Sequence, residues 1–339
     1  MRPVFISRRG GPEVLEVREV PDPVPGPGQV RIAVRAAGLN FADVMARMGL
    51  YPDAPKLPAV VGYEVAGTVD AVGPGVDSPT PGDRVLALVR FGGQAEKVVL
   101  PAGHALAMPE EMTFEQGAAI PVTYLTAHQA LFRVGHLAPG RTVLVHMAAG
   151  GVGIAALQLC ATVPGVTVIG TASAAKHAVL REEGCQHPVD YRTRDYEAEV
   201  KRITGGKGVD LVLDALGGAD WEKGYRLLRP AGMLVTYGFA NIAGGPRRSL
   251  VRAARQLLSV PRFSPMRLME DNRGVAGVNM GHLWGEPEMV LGQFQAILAL
   301  FREGRIRPRV DSTFPFEEAG KAHDRLQGRG SVGKVLLVP

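Results

Sequence analysis

The stretch from Arg141 to Gly153 limits most strongly how this chain can fold. It has the sequence RTVLVHMAAGGVG and continues as IAALQLCATV. The short apolar run at 143–145 is β-branched and stops at small residues, as a strand buried on both faces would. Apolar residues then recur at the 3.6-residue spacing of a helix, at Val152, Ala155, Ala156 and Leu159. A buried strand, a glycine-rich turn and a helix therefore follow one another directly.

The turn carries Ala148, Gly150 and Gly153 at the spacing of a GxGxxG fingerprint with alanine in first place. In that pattern the second glycine lets the backbone approach a pyrophosphate, the third lets the helix pack close to the strand, and the free N–H groups at the helix start face the anion. A second strand at 166–169 arrives at the distance of a βαβ unit. These features predict a dinucleotide site; a tight turn that binds nothing is the alternative. Its cofactor-binding residues would include Ala149, Gly150, Gly151 and Val152.

The end of the second strand indicates which dinucleotide binds. An NAD-specific protein places an Asp or Glu on the ribose hydroxyls about 20 residues past the glycines. Here residues 170–176 read GTASAAK, without an acid. The hydroxyl of Ser173 and the ammonium of Lys176 suit a 2′-phosphate, and each charge-assisted hydrogen bond contributes about 1.5 to 3 kcal/mol. We predict NADPH as the cofactor, with Tyr191 closing the pocket; Lys176 could instead be a solvated helix lysine.

Composition indicates an ordinary globular protein of two domains. The chain has 339 residues, more than one core usually serves, and is 46% hydrophobic and 21% charged. No run of about 18 apolar residues and no signal-peptide pattern occurs, so a cytosolic location is expected. Cys160 and Cys185 are the only cysteines, too few for a disulfide framework or a structural zinc site. The net charge of +5 comes without interleaved aromatic residues, which argues against nucleic-acid binding.

Residues 1–125 have a β-rich pattern. Hydrophobic and polar residues alternate at 14–20 and again at 30–36, and a stiff proline-rich loop at 21–28 separates the two runs. Further short apolar runs follow, closely punctuated by glycine. This part of the chain is predicted to form a compact, partly open barrel.

Several segments resemble the medium-chain dehydrogenase/reductase superfamily, in its zinc-free quinone oxidoreductase branch. They are AAGLNFADVMARMGLY, LPAVVGYEVAGTVDAVGPGV, PGDRV, the AAxGGVG fingerprint and the terminal GKVLLVP. Within that branch, LNFADVMARMGLY, LVHMAAGGVG, GTASAAKH and VTYGFAN are particularly similar to the vesicle amine transport protein family. The resemblance implies an α/β fold in which a doubly wound Rossmann domain is inserted into a GroES-like catalytic domain. The expected ranges are 1–125 for the first part of the catalytic domain, 126–271 for the NADPH-binding domain and 272–339 for the return.

The same resemblance bears on metals. Zinc-dependent alcohol dehydrogenases carry a catalytic-zinc cysteine where this chain has Asn40, and GHE where it has Gly62, Tyr63 and Glu64. No cysteine precedes Cys160, so the structural-zinc loop is missing as well. The eight histidines include no pair at the spacing of a site on one helix face. We therefore predict no metal.

Without a Lewis acid, the resemblance implies a substrate that accepts hydride readily. A quinone or an α,β-unsaturated ketone carries its own electron sink, and its reduced anion can take a proton from water. The protein then aligns the nicotinamide with the acceptor and orients donors at the acceptor oxygen. By position, Asn40 and Tyr51 are the catalytic candidates, although Asn40 could cap a turn and Tyr51 could simply pack. Met45 stands where these enzymes often have a second tyrosine, so a more apolar acceptor is also allowed.

Further cofactor contacts are expected at matching positions and at the carboxyl ends of later strands, where open α/β sheets bind ligands. These residues are Thr126, Leu216, Gly238, Phe239, Val278, Asn279 and Lys334. Thr126 would contact the nicotinamide side, although a helical threonine can also bond to its own carbonyls. Val278 and Asn279 would wall the nicotinamide pocket. Lys334 would reach a phosphate or ribose, or would be a plain edge-strand lysine.

One stretch, residues 246–269, is basic and amphipathic. Arg248, Arg252 and Arg255 are spaced along it, interleaved with apolar residues at Leu250, Val251, Leu257 and Leu258. Helices of this kind lie on anionic membranes. A cleft flap or a dimer-edge helix with a solvated arginine face is the favoured interpretation.

These observations together predict a cytosolic, zinc-independent oxidoreductase that transfers hydride from NADPH to a quinone or enone. The resemblance also implies a homodimer formed by joining the Rossmann sheets edge to edge. Two rival functions stay open. One is a lipid- or membrane-binding module that keeps the NADPH fold but has little catalysis. The other is an enoyl-thioester reductase, which would need a phosphopantetheine channel; no carrier-docking segment is recognisable.

Overall fold

The computed structural model describes residues 1–245 and 249–339, so Arg248 of the basic stretch lies outside the described residues. The chain divides into two compact units. The first contains Met1–Val122, Gly245 and Pro308–Pro339, and the second contains Thr123–Gly244 and Ser249–Arg307. None of the helices within the described ranges is long and apolar enough to cross a membrane.

The described strands, in chain order, are β1 (Val4–Ile6), β2 (Leu15–Val17), β3 (Gln29–Leu39), β4 (Ala59–Val60), β5 (Glu64–Val72), β6 (Arg84–Leu88), β7 (Lys97–Pro101), β8 (Ala105–Ala107), β9 (Thr142–Val145), β10 (Thr167–Ala172), β11 (His187–Asp190), β12 (Val209–Asp214), β13 (Leu228–Thr236), β14 (Gly274–Gly277), β15 (Val310–Pro315) and β16 (Lys334–Val338). The α-helices are α1 (Phe41–Met48), α2 (Phe114–Ala118), α3 (Pro121–His128), α4 (Gly151–Ala161), α5 (His177–Glu182), α6 (Tyr196–Ile203), α7 (Ala219–Leu227), α8 (Leu250–Leu258), α9 (Pro265–Asp271), α10 (Pro287–Arg302) and α11 (Ala319–Gln327).

The second unit is built on a six-stranded sheet in the order β11-β10-β9-β12-β13-β14. All of its neighbouring strands pair in parallel. The central strand β12 is buried at every position, as expected for a strand covered on both faces. The strand order reverses between β9 and β12, which is the switch point of a doubly wound sheet. The predicted Rossmann arrangement is therefore present.

The second unit extends further along the chain than the predicted boundary at residue 271. Strand β14 pairs in parallel with β13, from Met233 opposite Gly274 to Thr236 opposite Gly277. This pairing keeps the chain in the second unit after residue 272, and the return to the first unit comes at Pro308.

The first unit contains a seven-stranded sheet with the path β15-β16-β3-β5-β6-β8, in which β7 also pairs with β3. A three-stranded sheet, β2-β1-β4, completes its strands. The long strand β3 alternates buried and less buried positions over its first half and then becomes continuously buried. Its apolar side chains pack with those of β5, β6 and β16 in one core. The amino end of α1 follows directly from the end of β3, which positions the candidate residue Asn40.

Candidate active site

The glycine-rich turn that joins β9 to α4 in the second unit is closely packed. Gly150 is the residue before the first helical residue and has extended backbone angles (φ −77°, ψ 172°). Its N–H donates to the carbonyl oxygen of Met147 at 2.8 Å. A Cβ added at Gly153 would lie 2.4 Å from that same carbonyl oxygen, whereas one added at Gly150 would have only that oxygen within reach, at 3.3 Å. The helix therefore packs against the turn at Gly153, and space is open at Gly150, as a bound pyrophosphate would require.

A buried polar group lies at the end of the strands that carry this turn. His146 Nδ1 is 3.1 Å from Thr171 Oγ1, and His146 Nε2 is 3.9 Å from Asp214 Oδ2. Asp214 Oδ1 accepts from the backbone N–H groups of Leu216 at 2.6 Å and Gly217 at 3.1 Å. Burial lowers the pKa of His146 and raises the pKa of Asp214. Asp214 therefore shapes the loop in which Leu216 was predicted to contact the cofactor, a role that sequence reasoning missed.

The residues predicted to bind a 2′-phosphate lie at the ends of two paired strands. Strands β10 and β11 end side by side, with Ala172 opposite Asp190. Ser173 follows the first strand and precedes the short turn that holds Lys176, while Tyr191 follows the second strand. Ser173 and Lys176 are half-buried and Tyr191 is exposed. The structure thus places all three at one edge of the sheet.

The remaining predicted cofactor residues of the second unit follow the same edge. Leu216, Gly238 and Val278 come just after β12, β13 and β14, which are neighbours in the sheet. Phe239 packs on Trp221 with ring centroids 5.3 Å apart. Val278 is buried and its N–H donates to Thr236, while Asn279 caps the next turn through a bond from Gly281. Thr126 is buried in helix α3.

Three candidate residues, Asn40, Tyr51 and Lys334, lie in the first unit, and two of them touch. Lys334 Nζ donates to Asn40 Oδ1 at 2.6 Å and also forms an ion pair with Glu64. Asn40 Nδ2 donates to Glu64 Oε1 at 2.8 Å, and the N–H of Val122 donates to Glu64 Oε2 at 2.6 Å. Glu64 and Lys334 are fully or almost fully buried. Glu64, which no sequence pattern marks as a site residue, is thus the centre of the cluster.

A second carboxyl group holds the start of α1. Asp43 accepts from the N–H of Asn40 at 2.7 Å and from the N–H of Gly62 at 3.0 Å. The side chain is fully buried, and burial raises the pKa of Asp43 to about 7. An acid three residues after a helix-capping Asn is the sequence signal that would have found this residue. Asp43 thereby fixes both Asn40 and the chain that leads into Glu64.

Tyr51 lies in an aromatic cluster. Its ring meets that of Tyr63 edge to face, with centroids 6.1 Å apart, and Tyr63 in turn contacts Phe91 at 5.5 Å. Burial raises the pKa of both tyrosines, so both phenols are protonated at neutral pH. Among residues 1–245 and 249–339, no group of three or more His, Cys, Asp or Glu side chains is arranged to hold a metal ion.

Comparison with known proteins places this geometry in a family. Residues 26–110 match the family described as alcohol dehydrogenase GroES-like domain, and residues 183–337 match the family described as zinc-binding dehydrogenase. The synaptic vesicle membrane protein VAT-1 homolog of Rattus norvegicus is 50% identical over 341 residues, which is 100% of this chain and 84% of that protein.

Solved structures agree with the sequence relatives. The human synaptic vesicle membrane protein VAT-1 homolog-like protein superposes with a TM-score of 0.87 at 37% identity, covering 100% of this chain and 98% of that one. The Escherichia coli quinone oxidoreductase complexed with NADPH superposes with a TM-score of 0.89 at 30% identity, with both chains covered completely. The predicted fold class and the predicted family are therefore confirmed. The chain belongs to the medium-chain dehydrogenase/reductase superfamily, in the branch that contains the VAT-1 homologues and the quinone oxidoreductases.

Proposed function

We propose that this chain is a cytosolic NADPH-dependent oxidoreductase that transfers hydride to a quinone or an α,β-unsaturated carbonyl compound. The observation that carries the proposal is the carboxyl edge of the six-stranded sheet. There, the open space at Gly150 lies in the same row of strand ends as Ser173 and Lys176, and the end of β10 carries no acid. The NADPH complex of the related Escherichia coli enzyme supports the same cofactor.

In this proposal the second unit binds the cofactor. The free N–H groups at the start of α4 receive the pyrophosphate, and Ala149, Gly151 and Val152 line its approach. Ser173, Lys176 and Tyr191 bind the 2′-phosphate, which selects NADPH over NADH. Bound NADPH supplies the hydride. Leu216, Gly238, Phe239, Val278, Asn279 and Thr126 hold the nicotinamide half.

The first unit is proposed to hold the acceptor. The side-chain amide of Asn40 donates to Glu64 and accepts from Lys334, so its role is to form a rigid polar surface beside the acceptor. Lys334 uses two of its three N–H groups on these partners and keeps one for a ribose or phosphate oxygen. Tyr51, whose hydroxyl stays protonated, lines the acceptor site. These groups orient and stabilise the acceptor in a protected site.

The test begins with fluorescence titration of NADPH and NADH on the wild type, Lys176→Ala and Lys201→Ala. Lys201 is a matched control, an exposed helix lysine paired with Glu197. NADPH oxidation is then followed with 1,4-benzoquinone, 9,10-phenanthrenequinone, an alkenal and a crotonyl thioester. We expect the Lys176 variant alone to bind NADPH about 10- to 100-fold more weakly, with NADH unchanged. Absence of NADPH binding by the wild type would refute the cofactor site, and absence of turnover with all acceptors would refute the reaction.

A second candidate function, a membrane-binding module, is favoured by one specific surface. Helices α8 and α9 expose large apolar side chains, with Val251 at 81% and Leu258 at 88% exposure, beside Arg252 and Arg255. Some relatives are named synaptic vesicle membrane proteins. Flotation with phosphatidylcholine vesicles, with and without phosphatidylserine, tests this candidate. Binding that needs phosphatidylserine and is lost in the double variant Arg252→Gln, Arg255→Gln would support it.

We also propose a homodimer joined through β14, which is the last strand at one side of the six-stranded sheet. An edge strand with free backbone groups can pair with a second copy, and a charge placed on the edge blocks such pairing. Light scattering on the wild type and on Ala276→Lys is the measurement. A dimer that becomes a monomer only in the variant supports this arrangement, and an unchanged dimer would contradict it.

A further inference from the structure

The hydroxyl of Tyr63 is a buried donor that no protein group satisfies. Within the described residues its oxygen is shielded from solvent and has no hydrogen-bond partner. A buried hydroxyl without a partner is unfavourable, and native proteins keep few of them. In the unit that we propose holds the acceptor, an oxygen atom of a bound ligand would satisfy this hydroxyl by accepting its hydrogen bond.

The neighbouring polar groups are already paired. Asn40, Glu64 and Lys334 bond to one another, and Asp43 accepts from two backbone N–H groups, one of them that of Gly62, next to Tyr63. This cluster therefore offers little further hydrogen-bonding capacity. Tyr63 directly precedes Glu64 in the chain, and the Asp43 carboxyl is close enough to raise the pKa of the Tyr63 phenol.

The surroundings of the Tyr63 ring are those of a site for a flat, unsaturated molecule. Tyr51 meets it edge to face at 6.1 Å, and Phe91 lies at 5.5 Å. All three rings are half-buried. Burial, with the nearby Asp43 charge, raises the pKa of Tyr63, which keeps the phenol as a donor. A planar quinone or enone would have to displace part of this cluster to reach the hydroxyl, and its π face can make the same kind of ring contacts.

We propose that Tyr63 is a catalytic residue whose O–H donates a hydrogen bond to the carbonyl oxygen of the acceptor. The inference rests on the proposed hydride transfer. The acceptor gains the hydride at carbon, the π electrons move to its oxygen, and the resulting anion takes a proton from water, which leaves hydroxide. A quinone reduced in this way then moves the proton from that ring carbon to oxygen, through water, and becomes the hydroquinone. Tyr63 keeps its own proton throughout and stabilises the charge that develops on the oxygen.

The competing explanation is a buried water. The backbone N–H of Gln94 donates to the carbonyl oxygen of Val61 at 3.0 Å. The side-chain amide of Gln94 is also buried without a partner among the described residues, so water could join Gln94 and Tyr63. In that case the hydroxyl serves stability alone. The two explanations predict opposite patterns for stability and turnover when the hydroxyl is removed.

The experiment compares Tyr63→Phe with Tyr225→Phe, using the full chain. The Tyr225 hydroxyl donates to Asp271 at 2.9 Å in the second unit, so its loss removes a satisfied bond outside the acceptor site. For Tyr63→Phe we expect a Tm equal to or above that of the wild type, an unchanged Kd for NADPH, and kcat lower by about 10- to 100-fold. The loss should be larger for an enone than for a quinone, because an enolate oxygen is more basic than a hydroquinone oxygen. For Tyr225→Phe we expect a lower Tm and unchanged kcat.

The outcomes separate the inference from the function on which it rests. If the wild type turns over an acceptor and Tyr63→Phe does so within twofold, the inference is wrong and the proposed function stands. A lower Tm for Tyr63→Phe, with activity lost only in proportion to unfolded protein, would also overturn it in favour of the water. If the wild type binds NADPH but reduces none of the acceptors, the proposed reaction fails and this role of Tyr63 fails with it.

Discussion

Replacing Lys334 by Met should destabilise the first unit by about 3 to 5 kcal/mol. Lys334 is 3% exposed and Glu64 is 0% exposed, and the two side chains form an ion pair. Without the ammonium, the buried carboxylate of Glu64 keeps only the donors of Asn40 and Val122. Removing one partner of a buried pair leaves an uncompensated charge, which is the origin of the expected cost. For a unit of about 160 residues this corresponds to a fall in Tm of about 6 to 20 °C.

The assay is a double-mutant cycle of Lys334→Met and Glu64→Gln, with unfolding followed by circular dichroism in urea. Each single variant leaves one buried group without its partner, whereas the double variant removes both charges. We expect the double variant to recover most of the loss, ending within about 2 kcal/mol of the wild type. Hydrogen exchange at 36–40 and 334–338 locates the change in the first unit. Lys201→Met, at an exposed surface pair, is the control and should change stability by less than about 1 kcal/mol.

Two results would refute this reasoning. One is a Lys334→Met variant that loses less than about 1 kcal/mol, which would mean that the pair is hydrated in solution. The other is a double variant whose loss equals the sum of the single losses, which would mean that Lys334 and Glu64 act independently.

Three further predictions follow from single positions. Gly153→Ala should abolish NADPH binding and lower Tm, because the added Cβ would meet backbone oxygens at 2.4 and 2.5 Å. Gly150→Ala, the control, should fold normally. Equal Tm values for the two variants would contradict this prediction. Asp43 has a folded pKa of about 7, above the usual 3.8, so its contribution to the free energy of unfolding should fall as pH rises from about 4 to about 7. Urea midpoints should show this slope in the wild type and lose it in Asp43→Asn. His323 has a folded pKa of about 3, below the usual 6.5, so its contribution to the free energy of unfolding should be lost as pH falls from about 6.5 to about 3. The variant His323→Leu should therefore unfold at a lower pH than the wild type. An unchanged acid midpoint would contradict this prediction.

The parts of the fold that sequence could predict are those with a strong local pattern. The apolar run, glycine turn and apolar helix at 142–161 are each visible in the chain, and the structure has β9 and α4 there. Strand β14 shows why other parts could not be predicted. Its sequence, GVAG, is too short to show alternation, and it becomes a strand only by pairing with β13. Non-local pairing of this kind decides where the second unit ends.

The candidate site divides in the same way. Asn40 and Lys334 were selected separately, but their contact depends on the register of three strands. Leu39 lies opposite Val335, and Ala37 lies opposite Val65. This register brings together the neighbours of these residues in the chain, which are Asn40, Lys334 and Glu64. No spacing in the sequence predicts the contact between Asn40 and Lys334, which are 294 positions apart. For the same reason the central carboxylate, Glu64, could not be predicted as part of the cluster.

This register also bears on the chemistry of the first unit, which we propose holds the acceptor. Asn40 is a catalytic candidate by its position, as a donor to a substrate carbonyl or to the nicotinamide, but its side-chain nitrogen donates to Glu64 and its oxygen accepts from Lys334. The donors left over are one N–H of Lys334 and the phenols, of which Tyr63 is buried without a partner among the described residues. A protonated phenol of raised pKa stabilises a developing oxyanion but is a poor proton donor to it. Such a site suits acceptors whose reduced anion is already stabilised by conjugation. These acceptors need a hydrogen bond during hydride transfer, and their anions last long enough to take a proton from water afterwards. That requirement describes quinones and enones better than simple ketones.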